Sequence, residues 1–537
     1  MKSEPSALRD FTVDRRVWLL SGVAIGIGGC AAALAVLLLR CIALSTNLFY
    51  YHRFSIAGVS PAGSPLGYWM VVVPVVGGLL VGLMARFGSD KIRGHGIPEA
   101  IEAILLHRAR VDPKIALLKP ISAAIAIGSG GPFGAEGPII MTGGAVGSLV
   151  AQWMRVTDAE RTTLLVAGAA AGMSATFASP VAAILLAVEL LLFEWRPRSL
   201  VPVAMASATA GILRVYWLGA GPLFKMPAIT GTHRIIFNVG ALLLGAVMGL
   251  ASAGLSRMMY AFEDMFEHLH VHWMWWPALG GIGIGVGGFF FPRGLGVGYD
   301  NIAQLLRGQA TIGLIVGLII AKSLMWAFSL GSGTSGGVLA PLLMIGGAVG
   351  ALAGQLAHAG VEAQAFWALI GMGSMLAGSL GVPLTAILFS LEVTHSLPAL
   401  LPLTMACIAS YLVTALLMPR SILTEKLSRR GYHLTREYGV DPLELVIVRE
   451  LMTPSTVPGT KVALPEFYTY ADGTARGAAE TMATEGLATL PVVDRKSQQI
   501  CGTISLSDLL RGRSRSVERE SERLRLFGYA PVERDRS

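Results

Sequence analysis

Charge is scarce in this chain. Only 14% of its 537 residues are Asp, Glu, Lys or Arg, and 53% are hydrophobic. A soluble domain carries about 25% charged residues. Because the apolar residues form many long stretches, the composition excludes an ordinary soluble protein and indicates a polytopic membrane protein.

Cysteine and the common catalytic signatures are also lacking. The four cysteines, Cys30, Cys41, Cys407 and Cys501, form neither a CxxC pair nor a disulfide framework. Neither an HExxH motif nor paired aspartates in a span are present, so we predict no catalytic residue. The histidine-rich segment 262–276 has no strong metal-ligand spacing and is typical of a membrane interface. We therefore predict no metal site.

Uninterrupted 20-residue apolar spans are few, because glycine and proline break many of the stretches. Broken helices are tolerated in a bilayer only where their backbone is buried or lines a cavity. Basic residues flank the first span, after the segment 1–16, and follow the last span. We therefore predict a multi-pass cell-membrane protein with both termini in the cytoplasm. The net charge of +8 reflects this topology, and we predict no nucleic-acid partner.

An internal repeat relates two halves of the chain, about 17–218 and 235–420. When the sequence is shifted by 203 residues, 21 of the 72 positions from Lys119 to Leu190 are identical. Chance would give roughly six or seven identities in so glycine- and alanine-rich a composition. Paired repeats with broken segments are typical of transporters that bind their substrate where the repeats meet. We therefore predict an all-α membrane domain over 17–425.

Three glycine-rich turns lead into predicted helix starts: "GHGIP" (94–98), "GAEGP" (134–138) and "GVLAP" (337–341). The first amides of a helix lack partners within the helix and carry positive dipole charge, so converging helix starts favour an anion. Glu136 lies in the second turn, where its carboxylate could occupy the same site and leave it when protonated. The alternative is that Glu136 only caps its helix. However, the repeat-related position, Leu339, carries no acid.

These turns, in this order and spacing, resemble the GSGIP, GxEGP and GxFxP signatures of the CLC family of chloride channels and proton-coupled chloride exchangers. The resemblance covers roughly 15–430. It implies an inverted repeat with broken helices, a homodimer, and a separate anion pathway in each subunit. It also implies that Glu136 is the gating glutamate. The backbone amides of the central anion site would be those of Gly96 and Ile97 and of Val338 and Leu339.

Three positions depart from the family pattern. His95 replaces the serine of the first signature, Leu339 the phenylalanine of the third, and Leu423 the tyrosine that contacts the anion after the last span. Two hydroxyl donors are thus missing from the expected site. His95 could donate an N–H or bind an anion as a cation, or it could be a neutral packed residue. An anion is therefore predicted more firmly than chloride, and fluoride or nitrate remains an alternative.

The remaining charged residues of the repeat leave the mode of transport open. Exchangers of the family often carry a second glutamate where this chain has Leu190, which favours passive flow without excluding proton exchange. Its neighbour Glu189 and the repeat mate Glu392 are interpreted as structural. Lys119 and Lys322 are also repeat mates, and either set a positive interior potential or only form salt bridges.

The polar end of the chain resembles a single CBS module over 449–513, after a linker at 426–448 and before a charged tail at 514–537. We predict a helix, the strand "LPVVD", a polar turn, the strand "CGTISL" and a last helix from Ser507. CBS modules normally pair to enclose an adenine nucleotide, so binding here would need a second copy. No other cofactor is predicted. A membrane sensor regulated by this module is a further alternative function, and lipid, a small anion and protons are the other expected partners.

Overall fold

A computed structural model describes residues 15–228, 235–357, 360–429, 443, 446–454 and 465–514. They fall into two compact units, one within 15–429 and the other from 443 onwards. Most of the predicted N-terminal segment and linker, and nearly all of the charged tail, lie outside the described residues.

The first unit is helical. The helices of its first half are α1 (Arg16–Tyr51), α2 (Val72–Phe87), α3 (Ile97–Leu106), α4 (Pro113–Gly128), α5 (Glu136–Trp153), α6 (Asp158–Phe177), α7 (Pro180–Leu186, continued by a π-helical turn over Ala187–Leu192) and α8 (Pro197–Leu218). Those of its second half are α9 (Ile235–Glu267), α10 (Trp276–Phe290), α11 (Tyr299–Leu306), α12 (Ile312–Gly317, continued by a π-helical turn over Leu318–Lys322), α13 (Ser323–Gly331), α14 (Leu339–Leu356), α15 (Gly360–Leu380), α16 (Pro383–Thr394), α17 (Leu400–Leu417) and α18 (Ile422–Arg429).

The two halves repeat the same arrangement, as the sequence predicts. A shift by 203 residues carries both ends of α5 onto those of α14, and the start of α7 onto that of α16. Among the described residues, eight helices are long and apolar enough to cross a membrane. The shorter helices α7 and α16 begin at prolines and are both apolar. Short and long helices thus combine in a polytopic membrane fold built from two similar halves.

Glycine pairs bring two consecutive helices of each half into backbone contact. A Cβ atom added to Gly143 of α5 would lie 2.3 Å from the carbonyl oxygen of Gly168 in α6. The repeat mates, Gly346 of α14 and Gly371 of α15, approach in the same way, at 2.5 Å. Small residues allow this close packing, which drives helix association in lipid. The two halves therefore share this contact between helices as well as their sequence pattern.

The second unit contains a four-stranded sheet. Its elements are α19 (Val448–Leu451), β1 (Thr453–Pro454), β2 (Thr469–Tyr470), α20 (Ala475–Glu485), β3 (Thr489–Val493), β4 (Ile500–Ser505) and a helix over 506–514. The strand order is β1-β4-β3-β2, with β3 antiparallel to β4 and parallel to β2. Met482, Leu490 and Ile504 lie in its hydrophobic core. The predicted helix, strand, turn, strand and helix are all present.

We expect Gly371→Ala to destabilise the first unit, because the added methyl group would meet the carbonyl oxygen of Gly346 at 2.3 Å. Overpacking of this kind lowers the free energy of unfolding by about 1 to 3 kcal/mol. Thermal unfolding of the purified protein in detergent measures the effect. Gly254→Ala, in α9, is the matched control because its methyl group would meet nothing within 4 Å. Equal melting temperatures for the two variants would contradict the prediction.

Candidate functional site

The second and third glycine-rich turns meet through their backbones. The Gly337 amide donates to the Gly134 carbonyl oxygen at 2.8 Å, and the Gly134 amide donates to that of Gly337 at 3.1 Å. The two residues are repeat mates, so this antiparallel pair lies on the pseudo-twofold axis that relates the halves. The helices α5 and α14 therefore begin side by side, at Glu136 and Leu339.

The first turn packs against the second. A Cβ atom on Gly137 would lie 1.8 Å from the carbonyl oxygen of His95, and one on Gly96 would lie 2.7 Å from that of Gly137. Gly96 also has a φ of 87°, which favours glycine. The helix α3 begins at the next residue, Ile97. All three predicted helix starts are thus present, and the turns before them are in contact.

The Glu136 carboxylate is enclosed at this junction. Its side chain is fully buried, and a Cβ atom on Gly337 would lie 2.6 Å from Glu136 Oε2. Neither carboxylate oxygen has a hydrogen bond of good geometry with any residue that the structure describes. The groups around it are the backbone amides of Glu136 and Ala340, the Tyr299 hydroxyl and the Lys322 ammonium. Burial opposes a negative charge at this point, whereas these donors and the positive helix ends favour it.

The two buried lysines bind backbone carbonyls in matching places. Lys119 Nζ donates to the carbonyl oxygens of Ile92 and Gly94, both at 2.8 Å. Lys322 Nζ donates to those of Gly294 and Gly296, at 2.9 and 2.8 Å. Each lysine thus supports the segment that leads into a short helix, α3 in the first half and α11 in the second. Neither lysine forms a salt bridge with another residue that the structure describes.

Glu189 and Glu392 form reciprocal contacts between the halves. The Glu392 carboxylate accepts hydrogen bonds from the amides of Val181 and Ala182 at the start of α7, at 2.9 and 2.8 Å. The Glu189 carboxylate accepts from those at positions 384 and 385 at the start of α16, at 3.2 and 2.8 Å. Each acid therefore caps a short helix of the other half.

The apolar substitutions lie in the protein core. Leu190, in the π-helical turn after α7, and Leu423, in α18, are both fully buried. They belong to the same hydrophobic core as Ile97, Val338 and Leu339. The Tyr260 hydroxyl donates to the carbonyl oxygen next to Leu423, that of residue 422, at 2.6 Å. The side chains at 190 and 423 supply no hydrogen-bonding group.

A cavity of about 600 Å³ opens beside the first turn and is lined by charged residues of both signs. His95 lines it and is 3% exposed. Lys426 of α18 pairs with Glu99 at 2.8 Å, and the other Glu99 oxygen accepts from the Gly96 amide at 2.9 Å. This pair ties α18 to the start of α3. Sequence reasoning missed it, because the partners are 327 residues apart and no pattern connects them.

Tyr299 was also missed, although the repeat contains a signal for it. The shift by 203 residues aligns Tyr299 with Gly96, a residue of the first turn. This alignment with a site residue is the signal in the sequence that points to Tyr299. Among the described residues, no group of three or more His, Cys, Asp or Glu side chains is arranged to hold a metal.

The fold and the site define an anion-handling membrane protein made of two related halves. Residues 77–415 match the family of voltage gated chloride channels. A putative chloride channel protein, ClcB-like, of Ralstonia nicotianae is 30% identical over 402 residues, covering 73% of this chain and 92% of the relative. The H(+)/Cl(−) exchange transporter ClcA of Citrobacter koseri is 29% identical over 375 residues, covering 65% and 78%.

Solved structures agree with this fold. That of a slow cyanobacterial Cl−/H+ antiporter superposes with a TM-score of 0.69 at 21% identity, over 78% of this chain and 99% of that chain. The chain belongs to the CLC family, the voltage gated chloride channels. It is an anion-transporting, multi-pass membrane protein and not an enzyme.

We expect Glu392→Ala and Glu189→Ala each to destabilise the protein, because each removes two amide contacts of the same kind. Glu189→Ala should have the larger effect, since it also removes a hydrogen bond from the Thr385 hydroxyl at 2.6 Å. Loss of such a helix cap lowers the free energy of unfolding by about 1 to 3 kcal/mol. Thermal unfolding in detergent of the two single variants and the double variant measures this. A large effect of one variant and none of the other would contradict reciprocal capping.

Proposed function

We propose that this protein conducts or exchanges chloride, or a closely related small anion, with Glu136 as the gate. One observation carries the proposal: a fully buried carboxylate, without good hydrogen bonds to the described residues, lies where the helices α5 and α14 begin together. When charged, this carboxylate fills the position that an anion would take. When protonated, it loses its attraction to the positive helix ends and makes room for the anion.

In this proposal the anion is held by backbone amides. Those of Gly96 and Ile97 and of Val338 and Leu339 belong to the helix starts nearest to Glu136, and amides at a helix start bind anions without a full positive charge. The replacement of the family's phenylalanine by Leu339 does not remove the backbone amide at this position. Lys119 and Lys322 add positive charge near the backbone segments that they support.

The proposed mode of transport rests on the residue at position 190. With Leu190 in place of a second glutamate, we propose passive anion flow as the first reading and proton exchange as the second. The similar proteins include both kinds by name: a putative ClcB-like chloride channel protein and a ClcA exchange transporter. By resemblance we also propose a homodimer in the cell membrane, with cytoplasmic termini. The module at 449–513 would then bind an adenine nucleotide only when paired with a second copy.

The gate is tested with Glu136→Gln in liposomes. We expect anion flux to persist, while the ratio of flux at acid and neutral pH falls to about one, because glutamine mimics the protonated acid. Flux is recorded for chloride, fluoride and nitrate while internal pH is followed. Uphill proton movement by the unchanged protein, driven by an anion gradient, would identify exchange. Glu362→Gln, an exposed acid near the start of α15, is the control. An unchanged pH dependence in Glu136→Gln would overturn the gate.

The role of His95 is tested separately. If His95 binds the anion as a cation, His95→Ala should weaken anion binding about tenfold at acid pH and little at neutral pH. Isothermal titration of the purified protein with chloride measures this difference. His107→Ala, at the end of α3 and 45% exposed in its side chain, is the control. Identical isotherms for His95→Ala and the unchanged protein would remove His95 from the anion site.

A further inference from the structure

The two halves carry chemically different residues at two pairs of repeat-related positions, and one residue from each pair lies close to the other. At one, the second half has Tyr299 where the first has Gly96. At the other, the first half has Glu136 where the second has Leu339. The Tyr299 hydroxyl is among the groups that surround the Glu136 carboxylate. A polar group that only the second half supplies therefore faces an acid that only the first half supplies.

The ring of Tyr299 is held in place by two aromatic side chains. Tyr299 is the first residue of α11, and its ring lies edge to face with those of Phe177 and Phe224, at centroid distances of 6.4 and 6.2 Å. Phe177 is fully buried, and Phe224 is 2% exposed. These contacts restrict the ring, so the direction of the hydroxyl is set by packing.

The hydroxyl and the carboxylate complement each other. The Tyr299 hydroxyl oxygen is buried, and among the described residues it has no hydrogen bond of good geometry. Both carboxylate oxygens of Glu136 are also buried and have no hydrogen bond of good geometry with a described residue. Buried polar groups in proteins nearly always find a partner, and a phenol can donate one proton to a carboxylate. The Lys322 ammonium also acts on Glu136, but it is already bonded to two carbonyl oxygens.

We infer that Tyr299 is the positioning residue of the gate: its hydroxyl donates to the charged Glu136 carboxylate and holds it in the anion site. An incoming anion must then displace a carboxylate that is bonded to Tyr299 as well as attracted by the helix starts. This inference rests on the proposed gating role of Glu136. It also identifies a hydroxyl near the site in a chain that lacks the two hydroxyls of the family pattern.

Tyr299→Phe tests the inference, because it removes the hydroxyl and keeps the ring between Phe177 and Phe224. Hydrogen bonds to charged groups are strong enough that we expect anion affinity to rise about tenfold at neutral pH, where the carboxylate competes. Isothermal titration with chloride measures the affinity. In the Glu136→Gln background, the same substitution should change the affinity by less than about twofold, since no carboxylate is left to hold.

A second measurement uses reconstituted protein. Tyr299→Phe should raise chloride flux at neutral pH, because the carboxylate leaves the site more easily. Tyr50→Phe is the matched control: its hydroxyl is also buried, but donates to the Ser129 carbonyl oxygen at 3.0 Å and should leave chloride affinity unchanged. Melting temperatures of all variants identify any loss of folding.

Every other outcome contradicts the inference, and each one identifies a different reason. An equal change in both backgrounds would mean that Tyr299 acts only on the structure. A loss of affinity in the Glu136→Gln background would mean that the hydroxyl binds the anion itself. If Glu136→Gln raises chloride affinity and Tyr299→Phe has no effect, the gate stands and only Tyr299 is removed from it. If Glu136→Gln leaves the affinity unchanged, the competing gate fails and the inference fails with it.

Discussion

The pair of hydrogen bonds between Gly134 and Gly337 is the constraint on which the rest of the structure depends. It joins two repeat mates, so it lies on the axis that relates the halves and brings the first turns of α5 and α14 together. Inside a membrane these backbone groups have no water to bond, and they satisfy each other instead. The free amides of the two helix starts then share one small volume. An anionic group is the natural occupant of that volume.

Around this axis, contacts found in both halves support the framework, whereas differences between the halves make the site. Lys119 and Lys322 each bind two carbonyl oxygens, and Glu189 and Glu392 each cap a helix of the other half. Such matched pairs neutralise buried charge by bonding it to backbone groups. Glu136 has no counterpart of this kind. Displacing its carboxylate would break none of these paired contacts, which supports the proposed role of Glu136 as a gate.

Much of the fold and part of the site could be predicted from the sequence. The repeat offset of 203 aligned α5 with α14, and proline after a glycine-rich turn marked the helix starts that contain Pro138 and Pro341. The strands β3 and β4 were equally readable. The pairing of Lys426 with Glu99 was not, because nothing local connects residues 327 apart. Tyr299 was overlooked because it lies outside the segment, 322–393, over which the repeat is evident in the sequence.

The sequence by itself determined the class of protein, the presence of two related halves, and the acid that occupies the second turn. These follow from composition, periodicity and turn chemistry, which are local properties of the chain. Only the tertiary structure decided that the three turns touch, that each helix-capping glutamate serves the opposite half, and that the Tyr299 hydroxyl faces Glu136. Those contacts arise when the two halves pack about their common axis. Their partners are set by three-dimensional proximity, which no short stretch of sequence records.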